Sequence, residues 1–128
     1  MSVVAYLTLS DANAAIAFYK QVFGAVEKAR MPTEDGKKIM HAELEFANGR
    51  LFLSDDLQNS PKGPARARAS VFVGYDKAAD VDAIATKAKR ADATINTQPQ
   101  DMFWGDRFAQ FTDPFGHEWM IGAPKDAK

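Results

Sequence analysis

The sequence predicts an α+β fold made of two copies of one βαβββ unit, and two observations predict it. From residue 3 to residue 54 an apolar strand, an alanine-rich amphipathic helix and three further strands follow in turn, and from residue 68 to residue 122 the same order recurs. Between the copies, residues 55–67 carry two prolines, a glycine and mostly polar side chains, which is the composition of a connector. A repeated supersecondary unit packs against its neighbour, and two such units can share a sheet with a cleft between them. Clefts of that kind are where small ligands bind.

Each element has its own local reason. Residues 3–9 are apolar with β-branched members and read as a strand. Ser10 or Asp11 caps the helix that follows, because either side-chain oxygen accepts from the unpaired first amides. Within residues 12–23, Ile16, Tyr19, Val22 and Phe23 recur at helical spacing and form one apolar stripe. Gly24 ends the helix, since glycine takes the left-handed conformation without a Cβ clash. Residues 25–31 form the next strand, closed by turn residues 32–36. Residues 38–46 alternate, with Ala42, Leu44 and Phe46 on one face and His41, Glu43 and Glu45 on the other. Asn48 and Gly49 suit a two-residue hairpin turn, and residues 50–54 return.

The second copy opens with a strand over residues 69–75. Val81, Ile84, Ala85 and Ala88 then form a helical stripe, with Asp80 and Asp82 near the positive end of the helix dipole. Residues 93–97 read as a strand and 99–104 as a loop. Residues 107–112 and 117–121 form a hairpin around Asp113-Pro114-Phe115-Gly116, where proline presets φ and glycine admits the turn. The charged tail from Pro124 is expected to fray. Tyr19, Phe46, Phe52, Phe108, Phe111 and Trp119 are the expected aromatic core.

Composition narrows the function. The chain has 128 residues, enough for one domain, with 46% apolar and 26% charged residues as in ordinary soluble proteins. Sixteen basic and 17 acidic residues give a net charge of −1, so no broad field favours nucleic acid or an anionic membrane as partner. The absence of cysteine removes thiolate metal sites, thiol nucleophiles and disulfides together, and it fits a reducing cytosol. No basic segment precedes an apolar core at the N-terminus, and no apolar run approaches the roughly 18 residues of a membrane span. A cytoplasmic location is therefore expected. A glycine-rich phosphate loop, a nucleophile elbow and a zinc-protease helix are all missing from the sequence.

Four segments carry a family resemblance. Residues 15–25, Ala-Ile-Ala-Phe-Tyr-Lys-Gln-Val-Phe-Gly-Ala, resemble the first-helix signature of the glyoxalase/bleomycin-resistance/extradiol-dioxygenase (vicinal oxygen chelate) superfamily. Ile39-Met40-His41-Ala42-Glu43-Leu44, Phe103-Trp104-Gly105-Asp106-Arg107 and Asp113-Pro114-Phe115-Gly116-His117-Glu118-Trp119 are similar to its PhnB-like branch, often labelled 3-demethylubiquinone methyltransferase-like. The resemblance spans residues 3–121. It implies that the paired modules curl into a curved, partly closed mixed sheet around a cavity, with the helices outside, usually in a homodimer. A homodimer is expected on physical grounds too, because a lone protomer leaves sheet edges unpaired. Nothing in the chain supports the methyltransferase label, since no glycine-rich first turn of a nucleotide-cofactor fold is present.

The metal-using members of the superfamily take His or Glu from the first strand and a later strand of each module. Carried across by resemblance, those positions fall on Val4, Glu43, Ser70 and Met120, of which Glu43 alone is a good ligand. A divalent metal is the one cofactor the resemblance raises, and the ligand set leads us to expect the usual metal centre to be missing.

Several residues are candidates for chemistry, each with a plainer reading beside it. His41 and Glu43 leave the same strand face and form either an acid–base or minimal metal pair, with Glu43 as the ligand, or a solvated polar strand face. Arg107 can grip an anionic or oxygen-rich ligand with Trp104 stacking beside it, or it can pair with Asp106 or a glutamate and order the loop. Tyr6 lines the expected cavity from the first strand. His117 flanks a turn, where a surface or capping role is the commoner one, and the basic stretch 62–68 reads as a charged linker. The leading expectation is a protein that binds a small polar molecule without the usual metal, whether or not it is catalytic. One alternative is a divalent-metal-dependent lyase, isomerase or dioxygenase that uses His41 and Glu43 with a further ligand. The other is a structural or regulatory domain without chemistry.

Overall fold

The computed structural model describes residues 4–46, 48–57 and 70–126; most of the expected connector and its basic stretch lie outside the described residues. The chain divides into two units, residues 1–66 and 67–128. The first runs β1 (Ala5–Leu9), α1 (Ala12–Phe23), β2 (Val26–Pro32), β3 (Ile39–Phe46) and β4 (Gly49–Asp55). The second runs β5 (Ser70–Gly74), α2 (Ala78–Arg90), β6 (Thr94–Asp101), β7 (Asp106–Thr112) and β8 (Glu118–Pro124). The repeat seen in the sequence is therefore structural.

Each unit holds one four-stranded mixed sheet, ordered β1-β4-β3-β2 in the first and β5-β8-β7-β6 in the second, and neither closes into a barrel. The first strand of each unit lies parallel to the last, and the remaining pairs are antiparallel. The alternation of side chains then gives each sheet two different faces. In the first unit Leu7, Leu9, Leu51, Leu53, Ala42 and Leu44 are buried, together with Ile16, Tyr19 and Val22 of α1. In the second, Phe111, Trp119 and Ile121 are buried with Val81, Ile84 and Ala88 of α2. The opposite face is open within each unit.

Two buried carboxylates fasten these units, and the sequence did not mark either role. Asp55, 6% exposed, accepts from the Ala12 N–H at 2.8 Å through Oδ1 and from the Ile39 N–H at 2.7 Å through Oδ2. It thus closes β4 against the starts of α1 and β3, where the sequence reading began the connector. Asp113 accepts from the Phe115 and His117 N–H groups at 2.9 Å each through Oδ1, and from Trp119 Nε1 at 2.9 Å through Oδ2. A buried carboxylate with this many donors is satisfied without a counter-ion.

Of the two candidate caps of α1, Asp11 serves: its side chain accepts from Ala14 N at 3.0 Å. Gly24 stops the helix at φ +68°, as expected. Three expectations need correction. β6 continues through Pro99 to Asp101, because it is the outermost strand of its sheet and its register shifts twice, so the missing N–H breaks no ladder. β8 likewise runs on to Pro124, which pairs with Asp106, and the Lys125 N–H donates to the Gly105 carbonyl at 3.0 Å. Phe52 and Phe108 are not core: Leu51 and Leu53, and Ala109 and Phe111, take the helix side, so both rings fall on the open face.

Candidate functional site

The open face of the first sheet gathers residues from three strands. The β1–β4 register sets Tyr6 beside Phe52, and the β3–β4 register sets Glu43 on the other side of Phe52. His41 stands one pleat along β3 from Glu43, on the same face. The Tyr6 hydroxyl lies 3.4 Å from His41 Nδ1, and His41 Nε2 lies 3.3 Å from Glu43 Oε2. The His41 ring meets Phe52 edge-on with centroids 5.2 Å apart, and Tyr6 meets Phe52 edge-on at 6.5 Å. Arg50 covers Phe52 at 5.8 Å, which completes a wall of rings and a cation beside the polar line.

A neutral imidazole has one N–H and one bare nitrogen. With Nε2–H directed to the Glu43 carboxylate, Nδ1 is left to accept from the Tyr6 hydroxyl. In that tautomer Tyr6, His41 and Glu43 form one hydrogen-bond chain that runs to the Glu43 carboxyl. Tyr6 is exposed, and the side chains of His41 and Glu43 are part-buried, 29% and 32% exposed. The line is thus reachable from the open face.

The second unit places Arg107 on the opposite, helix-covered face. Its Nε and Nη2 donate to the two Asp82 oxygens at 2.8 Å each, and its Nη1 donates to Asp101 Oδ1 at 3.1 Å. This fork holds the Asp82 carboxyl below the usual carboxylate range, and the two acids raise the guanidinium above its ordinary value. The expected pairing with Asp106 or a glutamate is corrected to Asp82 and Asp101, brought close by α2 and β6. Trp104 sits at the β6–β7 turn, half-exposed, with Nε1 donating to Asp106 Oδ2 at 3.2 Å and its ring edge-on to Phe103 and Phe108. His117 enters the fold through its main chain, on the Asp113 turn.

One polar pair on the open face of the second sheet escaped the sequence reading. Ser70 Oγ donates to Glu118 Oε2 at 3.1 Å, across the parallel β5–β8 pair. Met120, the position carried over by resemblance, lies two residues further along β8 on the same face. The period of two along the strand was the signal that could have found Glu118. The structure thus joins Tyr6, His41 and Glu43 into one group and leaves Arg107 and Trp104 in separate local networks.

A helix-backed βαβββ unit used twice, each copy showing one open sheet face, defines a paired-module class of α+β proteins. The chain belongs to the Glyoxalase/Bleomycin resistance protein/Dioxygenase superfamily, whose family model matches residues 3–121. An uncharacterized protein of Mycobacterium bovis, Mb0911c, is 37% identical over 123 residues, covering 93% of this chain and 80% of that protein. Among solved structures, protein PA1353 from Pseudomonas aeruginosa is similar with a TM-score of 0.82 and 25% identity, covering 98% of this chain and 99% of that one. The putative 3-demethylubiquinone-9 3-methyltransferase, PhnB protein, of Bacillus cereus shares the fold at a TM-score of 0.79 and 16% identity, over 96% and 99% of the two chains.

Of the positions carried over by resemblance, Glu43 lies on the open face of the first sheet and Ser70 and Met120 lie on that of the second. His41 and Glu43 bond to one another with a phenol as the third group, and Ser70 is bonded to Glu118. Among the described residues, no cluster of three or more His, Cys, Asp or Glu side chains is arranged to hold a metal ion.

Proposed function

We propose that this protein binds a small polar molecule on the open face of its first sheet and acts on it through the Tyr6–His41–Glu43 line rather than through a metal. The observation that carries the reading is the convergence of these three side chains beside Phe52. A ligand hydroxyl or acidic C–H group can give its proton to the Tyr6 oxygen while the Tyr6 proton passes to His41 Nδ1. The Glu43 carboxylate then balances the imidazolium. Phe52 supplies an apolar wall against which the ligand loses water. Trp104 offers a further exposed ring, and Arg107 acts through the turn it braces, its fork being held by Asp82 and Asp101.

A screen of small polar metabolites by thermal shift on EDTA-treated protein tests the proposal. Ligands that raise the melting temperature should lose about tenfold in affinity in His41→Ala, the value of one charge-assisted hydrogen bond. Ligands that bind His41→Ala and Glu43→Gln unchanged, or that bind only once a divalent ion is restored, would overturn it.

We propose also that the protein is a homodimer. Support comes from the outermost strands β1, β2, β5 and β6, each with one unpaired edge in its sheet, and from the exposed Val26 and Met31 on β2.

A further inference from the structure

The second unit has a cavity of about 530 Å³ between α2 and β6, on the helix side of its sheet and so away from that sheet's open face. Its size falls within the roughly 300–1,000 Å³ of small-molecule sites. The apolar part of the lining is Ala85, Ile95 and Pro99. The polar part is Asp82, Thr86, Lys89 and Arg90 from α2 and Gln98 from β6.

We propose that this groove binds a small carboxylate with an apolar body, its body against Ile95 and Pro99 and its anionic end between Lys89 and Arg90. Three features point there. First, neither Lys89 nor Arg90 has an ion-pair partner among the described residues, whereas the one acid of the lining, Asp82, has both oxygens held by Arg107. The groove therefore presents a net positive charge. Second, these cations are not needed to close the helix: the carbonyls of Lys87, Ala88 and Lys89 already accept from the N–H groups of Ala91, Asp92 and Ala93. Third, the register of β6 shifts between Ile95 and Thr97 and again between Thr97 and Gln100, which takes Gln98 and Pro99 off the regular ladder and beside the groove. A planar guanidinium and a neighbouring ammonium match a carboxylate, and the Thr86 hydroxyl and Gln98 amide add donors.

Amide chemical-shift mapping with 2-naphthoate, and with uncharged 2-naphthamide as control, tests the assignment on the full chain. Saturable shifts at Thr86, Ile95 and Gln98 are expected for naphthoate. Affinity should fall about tenfold in Arg90→Gln and further in the Lys89→Gln, Arg90→Gln double variant. Both positions are exposed and glutamine is a good helix former, so the variants should keep their amide spectra elsewhere. Shifts that never saturate, shifts centred on residues outside the groove, equal binding of the naphthamide, or unchanged affinity in the double variant would each overturn the proposal.

Discussion

Asp113 shows how much one side chain decides. Its two oxygens answer two backbone N–H groups of the hairpin turn and the indole N–H of the fully buried Trp119. Replacing it with asparagine turns one acceptor into a donor, so either the turn amides or the indole face a donor in a buried place. Asp113→Asn should lose about 2–3 kcal/mol in urea unfolding at neutral pH, in line with hydrogen bonds to a charged group; a loss below about 0.5 kcal/mol would show that the turn re-forms without it. The segment around Asp113 was legible as a turn because proline and glycine announce one. The bond to Trp119 was not, since it depends on how the hairpin seats the indole. Tyr6 and His41 illustrate the same gap: 35 residues separate them, and only the pairing of β1 with β4 and β4 with β3 brings them together.

Elements were read well where one period dominated. α1, α2 and β3 show clean spacing: the whole stripe named on α2 is buried, as are Ile16, Tyr19 and Val22 of α1 and Ala42 and Leu44 of β3, while Phe23 and Phe46 at the ends of theirs are half-buried. β4 was harder, because Leu51-Phe52-Leu53 is apolar throughout and hides which residue turns outward. β6 was cut short because Pro99 signals a loop unless the strand lies outermost. The tie between β7 and α2 was misread in its partner, and it yields a pH prediction. Asp82 is held below the ordinary carboxylate range by the Arg107 fork, and Glu27 by Arg30 and Lys20. From the ordinary value near about 4 downward, the unfolded chain therefore binds more protons than the folded one. Stability from these pairs is complete above that value and is lost as pH falls through the folded one. Melting temperatures taken from pH 6 down to 2.5 should drop less steeply in Asp82→Asn than in the parent. At pH 7 the variant should lie within about 1 kcal/mol of the parent, since the pair is partly exposed. Parallel curves in acid would remove Asp82 from the account.

At the scale of the whole molecule, one frame is used twice with different contents. Both units have the same strand order and the same parallel closure of first strand on last. Their open faces differ: Tyr6, His41 and Glu43 occupy the first, whereas Ser70 with Glu118 and Thr112 with Asn96 occupy the second. The frame was legible because repetition survives in apolar pattern alone, while the contents depend on single side chains and on register. The unpaired outer edges give the prediction at this scale. Light scattering on the eluting protein should return twice the 14.1 kDa of the chain; a mass of one chain at micromolar concentration would exclude the dimer. Asp55 links this frame to the site. Its carboxylate joins the first amide of α1 to that of Ile39, two residues before His41. A push on the imidazole from the open side is therefore borne by the helix behind the sheet as well as by β3, and the stiffness of the site is anchored on the face the ligand never meets.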